Sequence, residues 1–330
     1  MSTTVLVTGA TGLAGANVCK QLIERGDHVR ALARDGADVE PLVALGVEVV
    51  TGDVTDAGDV LKAATGCDAA IHCAALLGGA SQELEPFRAV NVDGTRHVLD
   101  AGESLGMRRV VAVSTGTFFD TSGGQDREDA PVSKTPSSDP YTITKMAAFE
   151  DAMSRAAAGH DVVTTHPGAI FGPSPVVSNA LGLTSFNRVL LSALRQRMTQ
   201  YLRFPVSWVY ADDVARGCIQ ALDSGVAGER YMLDGRPEDV VSIAQACSRI
   251  CELAGLDHRV ADIEPSDDPE LAKVFGPTLV AIAAKAAKDR TVRRSQPESK
   301  TFRRLGYDPI SLDEGLLATT EWLHAIGKVR

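Results

Sequence analysis

Tyr141 and Lys145 stand four residues apart in the run Tyr141-Thr142-Ile143-Thr144-Lys145. Asp139-Pro140 precedes them, a sound helix start with proline in the first turn. On such a helix the phenol and the amine share one face. A free tyrosine titrates at ~10, too high for easy proton exchange at neutral pH. A neighbouring ammonium favours the phenolate and lowers that value, so the two side chains make a sensible acid–base unit. The bare pattern also occurs on exposed helix faces, and its weight here comes from what precedes it. Val110-Val111-Ala112-Val113-Ser114-Thr115-Gly116-Thr117 reads as a strand that ends in hydroxyls. A hydroxyl in that place can donate to a substrate oxygen and polarise a carbonyl.

A second stretch binds rather than reacts. Val5-Leu6-Val7-Thr8 is a short apolar strand that runs into Gly9-Ala10-Thr11-Gly12-Leu13-Ala14-Gly15 and then a helix closing on Gly26. Strand, glycine turn and helix N-terminus together make an anion site. The glycines let backbone N–H groups approach a pyrophosphate, and the helix dipole favours its charge. The spacing Gly-x-x-Gly-x-x-Gly is one residue longer in its first half than the usual dinucleotide fingerprint. Three glycines cost chain entropy that a plain turn, which needs one, would not spend.

These groups need a frame. Short apolar runs at Val29–Ala33, Val47–Thr51, Ala69–Cys73, Val110–Ser114 and Val162–His166 follow the first strand. Helical patterns at 38–45, 57–64, 90–105 and 140–157 separate them. Strands alternating with helices predict an α/β fold, a doubly wound parallel (Rossmann) sheet with its ligand beyond the carboxyl ends of the strands. After Pro167 the rhythm breaks. Residues 172–210 read as prolines, a helix near Asn187–Met198 and an irregular stretch up to Trp208. The remainder reads as helices at Ser242–Ala254 and Ser311–Ile326, with loops holding Pro265, Pro269 and Pro277. The expected division is a dinucleotide-binding part at 1–170, with 205–235 returning to it. A smaller substrate-binding lobe is expected at 171–204 and 236–330.

Composition bounds the partners. Apolar residues are 44% of 330, enough for a filled core, and the formal charge is −10. An acidic chain argues against a nucleic-acid or anionic membrane surface. Cys19, Cys67, Cys73, Cys218, Cys247 and Cys251 lack the paired spacing of a disulfide or zinc framework, and no metal is expected. The start has no basic, apolar leader and no run approaches a membrane span, so a cytoplasmic protein is expected.

The glycine loop, the hydroxyl-ended fifth strand and Tyr-x-x-x-Lys, in this order, resemble the extended short-chain dehydrogenase/reductase family, the NAD(P)-dependent epimerase/dehydratase superfamily. Asp53-Val54, His72-Cys73-Ala74-Ala75 and Asn91-Val92-Asp93-Gly94-Thr95 resemble its cofactor segments. His166-Pro167-Gly168-Ala169-Ile170-Phe171-Gly172-Pro173 resembles its Arg-Pro-x-x-Val-Tyr-Gly-Pro segment, with histidine in place of arginine. Trp208-Val209-Tyr210-Ala211-Asp212-Asp213-Val214-Ala215 resembles its late Val-Asp-Asp-Val-Ala signature. The resemblance spans about residues 3 to 235. It implies Tyr141 as the general acid or base, Lys145 as the holder of the nicotinamide ribose, and Thr115, or its neighbour Ser114, as the catalytic hydroxyl. It also implies cofactor contacts from Gly9, Thr11, Gly12, Leu13, Gly15, Asp53, Val54, Cys73, Ala74, Ala75, Asn91 and Ser114. Pro167, Gly168, Ala169 and Ile170 complete that set, and pairing of two copies through the long helices is a further implication.

Arg34 follows the second strand about 20 residues past the glycines, where an acid selects NAD and an arginine accepts a 2′-phosphate. NADP(H) is therefore favoured, and Asp35 leaves NAD(H) open. Gly116 and Thr117 stand where dehydratases of this type carry an acid, which disfavours dehydration. Phe118, Phe119, Phe171, Phe186 and Trp208 are expected to line an apolar substrate pocket. The expected reaction interconverts a carbonyl and a secondary alcohol on a small apolar molecule, in the manner of dihydroflavonol reductases and 3β-hydroxysteroid dehydrogenases. Two other readings stand beside it: a sugar-nucleotide epimerase using Arg188, Arg195, Arg197 and Arg203, and a non-catalytic dinucleotide binder.

Overall fold

Strands whose residues are buried on both faces can only be the middle of a covered parallel sheet. β1 (Thr4–Thr8) and β4 (Ala69–His72) are of that kind, apart from the first residue of β1. The computed structural model describes residues 2–77, 83–122, 127–135, 139–266, 268–275, 279–280, 283–284 and 299–329; Pro277 lies outside them. β1 and β4 are joined by β2 (His28–Ala33), β3 (Glu48–Thr51), β5 (Val110–Val113), β6 (Val162–Pro167) and β10 (Arg230–Leu233). The seven run parallel in the order β3-β2-β1-β4-β5-β6-β10. The order reverses between β1 and β4, which opens a crevice at their carboxyl ends. This is the doubly wound fold expected, with one strand more. β10 carries Arg230 and Tyr231 in four residues and gave no apolar run to read.

The helices cover both faces. α1 (Leu13–Arg25) starts directly after Gly12, which offers no capping side chain, and stops at Gly26 in the left-handed region (φ 92°). α3 (Ala57–Ala64) is capped by Asp56, and α6 (Pro140–Ala157) by Asp139, whose Oδ1 accepts from Thr142 N at 2.8 Å. α9 (Ala211–Ser224) packs beside α1. The long helix expected from residue 90 differs in detail. A turn at Leu84–Phe87 leads through a π-helical turn, Arg88–Asp93, into α5 (Gly94–Leu105). The wide turn holds Asn91, fully buried, and such turns often sit at functional sites.

Beyond β6 the structure is more ordered than its sequence implied. β7 (Ala169–Phe171), β9 (Pro205–Tyr210) and β11 (Val240–Ser242) form a three-stranded sheet, and β8 (Gln200–Leu202) pairs with β12 (Ala261–Ile263). The helix near 187 runs only Phe186–Leu194, because the chain turns at Gln196 with φ 56°. Phe171, Trp208, Leu190, Ile243 and Leu316 share one core there. No helix of the described residues is long and apolar enough to cross a membrane.

One clasp fixes the chain that follows β5. Phe119 bridges Val132, and Glu128, 3% exposed, accepts from Lys300 N (2.7 Å), Thr301 N (3.0 Å) and the Thr301 hydroxyl. Lys300–Leu305 is a helix, so this carboxylate satisfies donors that its first turn leaves open. Arg230 donates to the carbonyls of Glu128 (2.6 Å) and Ala130 (2.5 Å). Replacing Glu128 with alanine strands the Lys300 N–H, the Thr301 N–H and the Thr301 hydroxyl. Urea denaturation is expected to show a loss of about 2–4 kcal/mol, with Glu128→Gln losing about half as much.

Candidate active site

The glycine turn leaves β1 at Gly9, where φ is +66°. A Cβ there would lie 2.5 Å from Ala74 N, and one at Gly15 would lie 2.2 Å from Gly9 O. No side chain fits at either place, so the backbone passes hard against the end of β4. The first N–H groups of α1 are left without intrahelical acceptors. They face the crevice with no side chain capping them, which is what a pyrophosphate requires. Segment 173–180 crosses this turn. Asn17 Nδ2 donates to Pro173 O (3.0 Å), Asn179 Nδ2 to Thr11 O (3.0 Å) and Ser178 Oγ to Asp38 Oδ2 (2.7 Å). Arg34 is exposed at the end of β2, and its guanidinium has no partner among the described residues.

A buried polar layer links the turn to α6. Thr95 Oγ1 donates to Asn91 O (2.7 Å), so it must accept from His72 Nε2 (3.1 Å). His72 Nδ1 then accepts from the Thr8 hydroxyl (2.7 Å). Asn91 holds the backbone of Leu76 with both ends of its amide, at 2.8 and 3.1 Å, and donates to Thr144 Oγ1 (3.0 Å). Thr144 donates to Pro140 O (2.7 Å) in the first turn of α6. His72 is held neutral, its pKa down to about 3, by burial and then by the charge of Lys145.

Lys145 is 3% exposed, and its Nζ donates to Val113 O at 2.6 Å. Burial lowers its pKa to about 8, a shift that nearby Cys73 partly opposes. Tyr141, one turn earlier on α6, has its pKa pushed up to about 12 by burial, against a hydrogen bond with the Thr115 side chain that lowers it. The lowering expected from the neighbouring amine meets a stronger opposing effect here, since desolvation of the ring dominates. Ser114 Oγ is buried beside these groups with no hydrogen-bond partner. An orphaned hydroxyl at a strand end, next to an uncapped glycine turn, fits a site built for a polar ligand.

The remaining expected residues divide. Thr115, Tyr141 and Lys145 gather at the ends of β5 and α6. Cys73 N and Ala74 N bond to Thr8 (3.1 and 3.4 Å), which places Cys73, Ala74 and Ala75 against the glycine turn. Asp53 turns its Oδ1 to Thr55 (2.9 and 3.0 Å), and Val54 lies under Gly94. Gly168 follows Pro167 and packs on Ser207 O, a 2.4 Å approach for any Cβ, before Ala169 and Ile170 enter β7. The aromatic pocket is corrected. Phe118 (0% exposed), Phe171 and Trp208 have almost no surface to offer, and Phe119 is also buried. Phe118, Phe119 and Phe149 stack around His166, while Phe171 and Phe186 meet Trp208 edge-on. Only Phe186 of the five is part-exposed. Among the expected diphosphate cations, Arg195 donates to Lys328 O and Arg203 pairs with Glu264. Thr8, Thr95 and Thr144, the hydroxyls of the polar layer, were missed; their one sequence signal is a hydroxyl beside a motif residue.

The description "NAD dependent epimerase/dehydratase family" matches residues 5–234 of the chain. The chain is 33% identical over 253 residues to sterol demethylase protein B of Methylococcus capsulatus, covering 76% of this chain and 75% of that protein. It is 29% identical over 264 residues to a putative dihydroflavonol 4-reductase of Synechocystis, covering 78% and 74%. In fold it is similar to a nucleoside-diphosphate-sugar epimerase from Pseudomonas aeruginosa, at TM-score 0.77 and 22% identity over 100% of both chains. The parallel sheet with its reversal at β1 and β4, the glycine turn and the family match over 5–234 lead to one assignment: the chain belongs to the NAD dependent epimerase/dehydratase family, enzymes of the extended short-chain dehydrogenase/reductase type.

Proposed function

We propose that the protein is an NADP(H)-dependent reductase that converts a carbonyl on a small, largely apolar molecule to a secondary alcohol. The observation that carries this reading is the gathering of Thr115, part-buried Tyr141 and buried Lys145 at the carboxyl edge of the sheet, with Lys145 Nζ donating to Val113 O. A phenol that keeps its proton at neutral pH can deliver it to a carbonyl oxygen. The likeness to a putative dihydroflavonol 4-reductase over 78% of the chain supports the same class.

When bound, the dinucleotide supplies the hydride. Gly9, Gly12 and Gly15 would hold its pyrophosphate with the N–H groups of α1, and Arg34 its 2′-phosphate. Asp53 and Val54 would flank the adenine, and Pro167 to Ile170 the nicotinamide end. Thr115 donates to the substrate oxygen as negative charge develops there, and Tyr141 passes its proton to that oxygen. Lys145 keeps a positive charge beside the site and holds the ribose. Residues 1–170 and 205–235 form the dinucleotide part of this reading, and 171–204 with 236–330 the substrate lobe.

Three outcomes test it. Tyr141→Phe is expected to reduce turnover of a ketone panel by about 10²–10⁴-fold while NADPH affinity stays within about twofold, by fluorescence titration. Unimpaired turnover would remove Tyr141 as the acid. Arg34→Ala is expected to weaken NADPH by about 10–100-fold and leave NADH unchanged, the loss of a charge-assisted phosphate contact. Equal effects on the two dinucleotides would refute 2′-phosphate selection. Lys145 has its folded pKa lowered from 10.5 to about 8, so the unfolded chain binds the extra proton between those values. Its burial therefore costs stability in full below pH 8, and the cost fades as pH rises toward 10.5. Lys145→Met is expected to raise the melting temperature of the ligand-free protein at pH 7, a gain of about 1–2 kcal/mol after the lost hydrogen bond. That gain should shrink above pH 8, and turnover should fall at every pH.

A further inference from the structure

We propose that His166 is a positioning residue for the acid–base pair: its ring fixes the backbone of Thr115 so that the Thr115 hydroxyl meets the Tyr141 phenol. The inference rests on the reading of Tyr141 and Thr115 just given. The ladder between β5 and β6 ends with Ser114 N donating to Thr165 O at 2.7 Å. Past that bond the chain leaves the sheet, and the Thr115 carbonyl has no strand to meet. The His166 side chain takes it instead, at 2.7 Å from Nδ1. A carbonyl can only accept, so Nδ1 carries the proton. Nε2 lies 3.0 Å from Thr164 Oγ1, two residues back on the same face of β6, and accepts from that hydroxyl.

The surroundings hold the ring in one place and one charge state. His166 is 0% exposed. Phe118, Phe119 and Phe149 pack on it with ring centroids 6.1, 5.1 and 5.4 Å away. The charged groups that face it are Arg230 and Lys145; with burial, which acts most strongly, they keep its pKa down at about 3. An arginine, which the family pattern places here, has only donors and could not accept from Thr164. Histidine extends the β5–β6 ladder by one side-chain bond, at the residue that hydrogen-bonds the acid. A displacement of about 1 Å at such a residue can cost 100-fold in rate.

The test compares His166→Phe, which keeps ring packing and removes the donor, with His166→Asn, whose amide keeps a donor near the Nδ1 position. NADPH is the cofactor, and a dihydroflavonol and a 3-ketosteroid are the probes. His166→Phe is expected to lower kcat by about 10–100-fold with NADPH affinity and substrate KM within about twofold, and His166→Asn to recover most of kcat. [15N]Histidine NMR of the unaltered protein is expected to show His166 as the neutral Nδ1–H tautomer between about pH 5 and 8, its signal identified by its loss in either variant. An Nε2–H tautomer, a protonated ring, or a wild-type kcat in His166→Phe would overturn the proposal. So would a loss in which kcat and NADPH binding fall together in both variants, since that marks a merely structural ring. Tyr141→Phe separates the two readings. If it stays active, the acid assignment fails; if it is inactive while His166→Phe is unimpaired, only the positioning role fails.

Discussion

The arrangement of the site follows from one buried charge. Lys145 brings an ammonium into a layer that is almost dry, and the histidines of that layer stay neutral beside it. Val113 O takes one of its protons. The two histidines nearest the reaction edge, His72 and His166, are both depressed by burial and both feel Lys145, so neither adds a second positive charge. Each is then free to act as a neutral donor–acceptor pair: His72 joins Thr8 of β1 to Thr95 of α5, and His166 joins Thr164 of its own strand to the Thr115 carbonyl. Had either ring been charged, it would have repelled the ammonium in a medium where such repulsion is costly. The burial is unfavourable for stability and favourable for a site that must present positive charge at one edge only.

That logic explains which parts of the site were legible in the sequence. The glycines, the hydroxyl-ended strand and the Tyr–Lys spacing carry their chemistry in residue type and interval, and the fold brings them to one crevice. Electrostatic sign is another matter. Spacing places Lys145 on the face of Tyr141, but whether it lowers the phenol's pKa depends on what else holds the ammonium and how dry the ring is. Neither is visible along a chain. His72 and His166 stood in plain sight as polar residues closing apolar runs, yet the sequence could not say that Thr8, Thr95 and Thr164 would arrive as their partners.

The fold was legible where short, mostly apolar strands alternate with helical patterns. Six such strands are readable in the sequence, even with Arg30 in β2 and Glu48 in β3, whereas β8, β9 and β10 stand outside that rhythm. These strands are set by tertiary pairing: β10 against β6, β9 between β7 and β11. The wide turn at Arg88–Asp93 was hidden for a similar reason. It is stabilised by Asn91 reaching back to Leu76, a contact that no local propensity encodes. The aromatic residues misled in the opposite direction. Their size suits a pocket and a core equally, and here the core won: Phe118, Phe119 and Phe149 enclose His166, which places an apolar sleeve around that ring.

The dinucleotide cradle itself is not the property of the N-terminal strand–turn–helix alone. Three hydrogen bonds reach it from segment 173–180, and their partners are Asn17 of α1, Thr11 of the turn and Asp38 beyond β2. Each bridges well over a hundred residues of chain, so each closes a long loop whose entropy has already been met by the sheet between them. A turn held only by its glycines would be free to flex, because glycine restricts its own backbone least. The crossing segment removes that freedom from outside. It does so with the Pro173 carbonyl, which accepts from Asn17, the Asn179 amide, which donates to Thr11 O, and the Ser178 hydroxyl, which donates to Asp38, and it leaves the N–H groups of α1 free of side-chain caps. The turn is thereby tied down from outside while the first N–H groups of α1 keep no side-chain cap, a combination that the turn's own sequence cannot provide.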